Sequence, residues 1–243
     1  MQKNKVSILS TRPVGKALVG KAAQHDIAIA EVSFINTSVI NSAAIAQKIH
    51  GLISKPITAI FTSMNAAEAV AKFLFTKPSW KIFCTGTTTK KIIEEMFGKE
   101  SICATADGAE LLADKILGNA SIKNVVFFCG DQRREELPAR LINNGIGVEE
   151  VIVYKTIETP TALAQQYDAI LFFSPSAVKS FFTKNSIAET TQLFAIGNTT
   201  AAAAQPFTKQ AVIISGKPGK ESLVNLAIEH FSKTNLLNAT IKK

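Results

Sequence analysis

Apolar runs of four to eight residues, rich in Ile, Val and Phe, alternate along the chain with longer stretches of amphipathic pattern. The short runs predict strands and the longer stretches predict helices. Read this way, strands fall at 5–10, 27–35, 57–62, 80–84, 101–104, 124–129, 147–154, 168–173, 192–196 and 210–215. Strands that are apolar on both faces, with helical patterns filling the gaps, indicate parallel, doubly wound α/β structure. Ten strands are many for one open sheet, and two five-stranded sheets accommodate them better.

A repeat divides those strands. Ile60–Lys90 and Leu171–Ala201 share the order strand, Ser, helix, strand, Gly, Thr-Thr, helix. From Ser63 to Gly86 is 23 positions, and so it is from Ser174 to Gly197. A second match lays Val6–Thr37 on Val125–Thr156 with a shift of 119. Val6/Val125, Leu18/Leu137, Ile27/Ile146, Glu31/Glu150, Val32/Val151 and Thr37/Thr156 are identical in it. Together the matches imply a circularly permuted pair. One domain is discontinuous, 1–35 with 158–243, and the other is continuous, 38–153. The crossing segments, 33–37 and 152–157, are expected to lie side by side as a two-stranded linker and hinge. The tail Asn235–Lys243 is expected to fray.

The chain has 243 residues, 47% of them hydrophobic, which is enough to bury a substantial core. No stretch approaches the roughly 20 apolar residues of a membrane span. The opening MQKNKVSILSTRP passes straight into a strand, and its apolar run is too short for a signal peptide. The expectation is a cytoplasmic monomer without a membrane. Cys84, Cys103 and Cys129 form no CxxC pair and read as small hydrophobes. His25, His50 and His230 lack HxxxH or HExxH spacing, so no metal site is expected. The formal charge of +8 suits an anionic partner or simply a solvated surface. The lysines form no dense basic run, which argues against nucleic acid.

In doubly wound sheets, ligands collect at the carboxyl ends of the strands. Those ends carry Thr11-Arg12-Pro13, Ser63, Gly86-Thr87-Thr88-Thr89, Gly130, Ser174 and Gly197-Asn198-Thr199-Thr200. All but Arg12 and Pro13 are small, hydroxylated or amide residues. Ser63 and Ser174 stand where helix N-caps belong, and helix starts offer free N–H groups to anions. The same residues could merely cap helices. GxGxxG, GxSxG and a true GxxxxGK[ST] loop are absent, although Ser215-Gly216-Lys217-Pro218-Gly219-Lys220 faintly resembles the last. Tyr154 stands where the first crossing segment has Ile35. It reads either as a strand residue or as a hydroxyl donor aimed at a cleft.

These residues resemble the uroporphyrinogen-III synthase family. The resemblance rests on Thr11-Arg12-Pro13, Phe61-Thr62-Ser63-Met64-Asn65-Ala66, Gly86–Thr89 and Gly130…Arg134…Leu137. It continues through Val153-Tyr154-Lys155-Thr156, Phe173-Ser174-Pro175-Ser176-Ala177-Val178 and Ala195-Ile196-Gly197-Asn198-Thr199-Thr200-Ala201. The matches follow in order over nearly the whole chain.

The resemblance implies two α/β domains joined by a two-stranded linker, one domain being discontinuous. It implies cyclisation of hydroxymethylbilane to uroporphyrinogen III, with inversion of ring D and loss of water, in haem biosynthesis and without a cofactor. It also implies a transient partner, hydroxymethylbilane synthase. Tyr154 becomes the candidate acid. Thr11, Arg12, Ser63, Gly86, Thr88, Thr89, Gly130, Ser174, Gly197, Thr199 and Thr200 become candidate substrate-binding residues around the eight carboxylates. Two rivals stand beside this reading. One is a non-enzymatic two-domain binder of an anionic metabolite. The other is a nucleotide-sugar transferase, disfavoured by the missing acidic ribose partner after a Gly-rich turn.

Overall fold

The computed structural model describes residues 5–217 and 219–241, the side chains of 233–241 excepted. In chain order the elements are β1 (Val6–Ser10), α1 (Lys16–Ala23), β2 (Ile27–Glu31), β3 (Ile35–Val39), α2 (Ala43–Ile53), β4 (Thr58–Phe61) and α3 (Met64–Ala71). There follow β5 (Lys81–Thr85), α4 (Thr87–Met96), β6 (Ile102–Ala106), α5 (Ala109–Leu117), β7 (Asn124–Gly130), α6 (Glu136–Asn143) and β8 (Gly147–Glu158). The last are β9 (Ala169–Phe172), α7 (Pro175–Phe182), β10 (Gln192–Ala195), α8 (Asn198–Ala204), β11 (Ile213–Ile214) and α9 (Lys220–Ile241). The tail, expected to fray, is instead helical as far as Ile241, and Lys242 and Lys243 lie outside the described residues.

The chain divides into two compact units, one running to Asn36 and resuming at Glu158, the other Thr37–Ile157. The first holds a sheet of order β11-β10-β9-β1-β2, the second a sheet of order β3-β8-β7-β4-β5-β6. The registered pairs in both are parallel. With β9 matched to β4, β10 to β5, β11 to β6, β1 to β7 and β2 to β8, the two orders coincide. The sequence repeat is thus also a repeat of topology.

The inner strands of each sheet are buried on both faces because they are apolar at odd and even positions alike, whereas β3 and β8 at one edge of the second sheet are exposed along part of their length. In the second unit, Ala59, Phe61, Val126 and Phe128 enter one core, with Trp80 and Phe97. Their neighbours Ile60, Val125, Phe127 and Cys129 enter the other, with Leu112 and Leu141. In the first unit, Ile8, Ala169, Leu171 and Phe194 pack under Val224 and Ala227 of α9. Leu9, Ile170, Phe172 and Leu193 pack under Val178 and Phe181 of α7.

Two strand expectations need correction. The strand read at 27–35 ends at Glu31, because Phe34 turns into the core and meets Phe181 with ring centroids 5.2 Å apart. Ile35 then opens β3, which lies beside β8, so this sheet has six strands rather than five. The strand read at 210–215 shrinks to Ile213–Ile214.

Candidate active site

In the second unit β4, β5 and β7 run parallel, so their carboxyl ends share one edge. Ser63 follows β4 and caps α3, its Oγ accepting the Asn65 amide at 3.2 Å. The same Oγ accepts the Tyr154 hydroxyl at 3.1 Å. A serine oxygen that accepts twice keeps its own proton for a third partner.

Tyr154 reaches this edge because β8 carries a bulge against β7. Register passes from Cys129–Ile152 to Gly130–Tyr154, leaving Val153 without a counterpart. A bulge bends its strand and re-aims side chains. The ring lies so close above Gly130 that a β-carbon there would stand 2.4 Å from Cζ. Burial raises the phenol above its ordinary 10.0, and Cys129 and Asp131 push the same way. Polar contacts from Ser63 and Asn65 only partly offset this, so the hydroxyl stays protonated at neutral pH.

At the end of β5, Gly86 is the N-cap of α4 with φ 74°, a conformation that favours glycine. Thr88 is exposed on the first turn, whereas Thr89 is buried. The loop after β7 is tied down by Arg133, whose Nε meets Glu150 at 2.6 Å and whose Nη1 meets Glu135 at 2.5 Å. Burial pushes the Cys84 and Cys129 thiols up to about 11, so they are inert neighbours.

The corresponding edge of the first unit carries the other candidates. Thr11 is buried, and both its amide and its hydroxyl donate to the Leu171 carbonyl, at 3.1 and 2.8 Å. It anchors the rim. Arg12, beside it, is exposed and lies over the Phe173 ring at 5.6 Å. Ser174 caps α7, accepting the Ala177 amide at 3.1 Å. Gly197 is the N-cap of α8, with Thr199 exposed and Thr200 buried behind it. Among the described residues the Thr200 hydroxyl has no hydrogen-bond partner. Glu31 and Glu150, identical under the shift of 119, steady the loops after the matched strands β1 and β7. Glu31 accepts the Val14 and Gly15 amides at 2.7 and 3.1 Å, and Glu150 holds Arg133.

The structure thus brings Tyr154, Ser63 and Gly130 together on one edge, with Gly86, Thr88 and Thr89 on the next strand of that edge. Thr11, Arg12, Ser174, Gly197, Thr199 and Thr200 belong to the edge of the other sheet. Sequence reasoning leaves two residues unassigned. Asn65 stands inside a quoted motif, its amide donates to the Ser63 Oγ that also receives the phenol, and its side chain lowers the phenol's pKa. Asp131 takes the place of Arg12 under the shift of 119 and hydrogen-bonds β8. Among the described residues no group of three or more His, Cys, Asp or Glu could hold a metal ion. None of their helices is long and apolar enough to cross a membrane.

A family model described as uroporphyrinogen-III synthase HemD matches residues 16–225. The chain belongs to the uroporphyrinogen-III synthase family. Two solved uroporphyrinogen-III synthases share its fold. One, from Helicobacter pylori, is 19% identical with a TM-score of 0.65, covering 92% of this chain and 99% of its own. The other, a mutant from the extremely thermophilic bacterium Thermus thermophilus, is 13% identical with a TM-score of 0.64, covering 96% and 99%. Both match the two-domain α/β architecture. The family reaction is therefore the activity of this chain: hydroxymethylbilane is cyclised to uroporphyrinogen III in haem biosynthesis, and simple carriage of an anionic metabolite is set aside.

Proposed function

We propose that Tyr154 is the acid of this uroporphyrinogen-III synthase. The phenol protonates the departing hydroxyl of hydroxymethylbilane, the carbon–oxygen bond breaks, and water leaves as the pyrrole lone pair forms the azafulvenium cation. The substituted α-carbon of ring D attacks the azafulvenium methylene to form a spiro intermediate. Its old bond to the methylene of the neighbouring ring then breaks, and that methylene re-bonds at ring D's free α-carbon, which inverts the ring and closes the macrocycle. The proton released as the last pyrrole regains aromaticity returns to the phenolate, so the net change is the loss of one water. The observation that carries this reading is the 3.1 Å hydrogen bond from the Tyr154 hydroxyl to Ser63 at the carboxyl edge of the sheet.

The substrate-binding assignments extend the same reading. Ser63, Thr88, Thr89 and the Gly86 turn contact the bilane from one sheet, and Gly130 contributes by receiving the phenol. Arg12, held in place by Thr11, pairs with a carboxylate. Ser174, Gly197, Thr199 and Thr200 present the amides of two helix starts to others. Positioning, more than acid–base strength, is the main task, because the linear bilane closes on its own to the type I isomer. The discontinuous domain 1–35 with 158–243 and the continuous domain 38–153, linked through 33–37 and 152–157, supply these two sets of residues. The enzyme works as a cytoplasmic monomer that takes its labile substrate from hydroxymethylbilane synthase in transient encounters.

Replacement of Tyr154 by Phe keeps the ring and removes the proton. Turnover is expected to fall about 100-fold with KM little changed. Unchanged turnover would remove Tyr154 from the mechanism.

A further inference from the structure

One residue holds the Tyr154 segment from two sides. The Asp131 amide donates to the Tyr154 carbonyl at 3.1 Å, and Asp131 Oδ1 accepts the Thr156 amide at 2.9 Å. The two bonds bracket Lys155 just beyond the bulge, where β7 has ended at Gly130. There the ladder has run out of partners, and a buried or half-buried strand still needs its amides paired. The aspartate side chain stands in for the missing strand residue. Its own loop is fixed by Arg133 on Glu150 of β8 and on Glu135.

We propose that Asp131 is a positioning residue for Tyr154, its two hydrogen bonds setting the bulged strand so that the phenol rests over Gly130 and reaches Ser63. This rests on the reading of Tyr154 as the proton donor. The geometry leaves little slack. The ring has Gly130 beneath it at a distance that admits no β-carbon, and its hydroxyl meets the Ser63 Oγ at hydrogen-bond length. If the segment 154–156 loosens, the hydroxyl leaves Ser63 while the rest of the sheet stays packed. The titratable groups acting on the phenol are Cys129 and Asp131, both of which disfavour the phenolate, so the carboxylate also helps keep the donor protonated.

A double-mutant cycle tests this, with kcat, KM and melting temperature measured for Asp131→Ala, Tyr154→Phe and the pair. Asp131→Ala is expected to lower kcat about 10- to 100-fold, the scale of a misplaced catalytic group, with KM little changed. In the Tyr154→Phe background the same change is expected to cost no further turnover, because nothing is left to position. Asp131→Asn, which keeps the acceptor, should restore most of kcat. Equal losses in both backgrounds, or a lowered melting temperature with normal kcat, would overturn the proposal. Wild-type turnover in Tyr154→Phe alone would overturn the reading beneath it and the proposal with it. Should Asp131→Ala not fold, Asp131→Ser, too short to reach the Thr156 amide, takes its place in the cycle.

Discussion

A β-carbon at Gly130 would stand 2.4 Å from Cζ of Tyr154, so the bare backbone of one strand is the floor for the phenol of the next. Gly130→Ala is therefore expected to push the ring aside or bend the bulge. The overpacking should cost about 1–3 kcal/mol of stability. Turnover should fall by more than that loss of folded protein explains, because the hydroxyl leaves Ser63. Thermal unfolding and kcat on the same sample check both. Unchanged kcat would show that the hydroxyl need not sit there.

Alkaline pH separates folding from chemistry. Cys84 and Cys129 titrate at about 11 in the folded chain against an ordinary 9.0, and Tyr154 above its ordinary 10.0. A native pKa that is raised means the unfolded chain loses its proton first, so the stabilisation is complete below the unfolded value and declines above it. Stability is expected to hold up to about pH 9 and to decline between 9 and 11, from the thiols first. The alkaline limb of kcat, set by the phenol, should lie above pH 10. Denaturant melts across pH and a kcat profile give the two curves. An alkaline limb well below 10 would assign the proton to another group.

Ser63 and Ser174 are topological equivalents with different burdens. Each accepts a helix-start amide, and Ser63 also accepts the Tyr154 hydroxyl. Replacing either by Ala should cost about 1 kcal/mol through the lost cap. Ser63→Ala should in addition lower kcat, whereas Ser174→Ala should act mainly on KM. Steady-state kinetics of the two variants, compared at equal folded fraction, decide this. Equal effects on kcat would separate Ser63 from the proton donor.

How much is legible beforehand follows from what a repeat can and cannot carry. The spacing of 23 positions in Ser63–Gly86 and Ser174–Gly197 encodes strand, cap, helix and strand, and the two sheet orders follow it. Apolar runs such as Val125–Cys129 declare strands buried on both faces. Tyr154 and Ser63 can each be named, but their contact cannot, because it depends on a bulge created by one residue, Val153, that has no partner on β7. Phe34 reads as part of a long strand because an apolar residue has the same pattern whether it extends a strand or turns into the core. Thr11 shows the limit for polar residues. A hydroxyl at a strand end looks like a ligand contact until its acceptor, here the Leu171 carbonyl, is seen.

Arg12 is exposed and rests on Phe173, and on the proposed reading it pairs with a carboxylate of the substrate. Arg12→Gln is expected to raise KM several-fold with little change in kcat or melting temperature. The salt dependence of KM should also weaken, because one screened pair is gone. KM measured against salt for both proteins checks this. An unaltered KM would place the substrate's acid arms elsewhere.

The most direct test supplies the purified chain with freshly made hydroxymethylbilane, oxidises the products and separates the porphyrin isomers. A ring-inverting cyclase yields mostly the type III isomer, and faster than the substrate closes alone. A product that remained the spontaneous type I isomer would contradict the account.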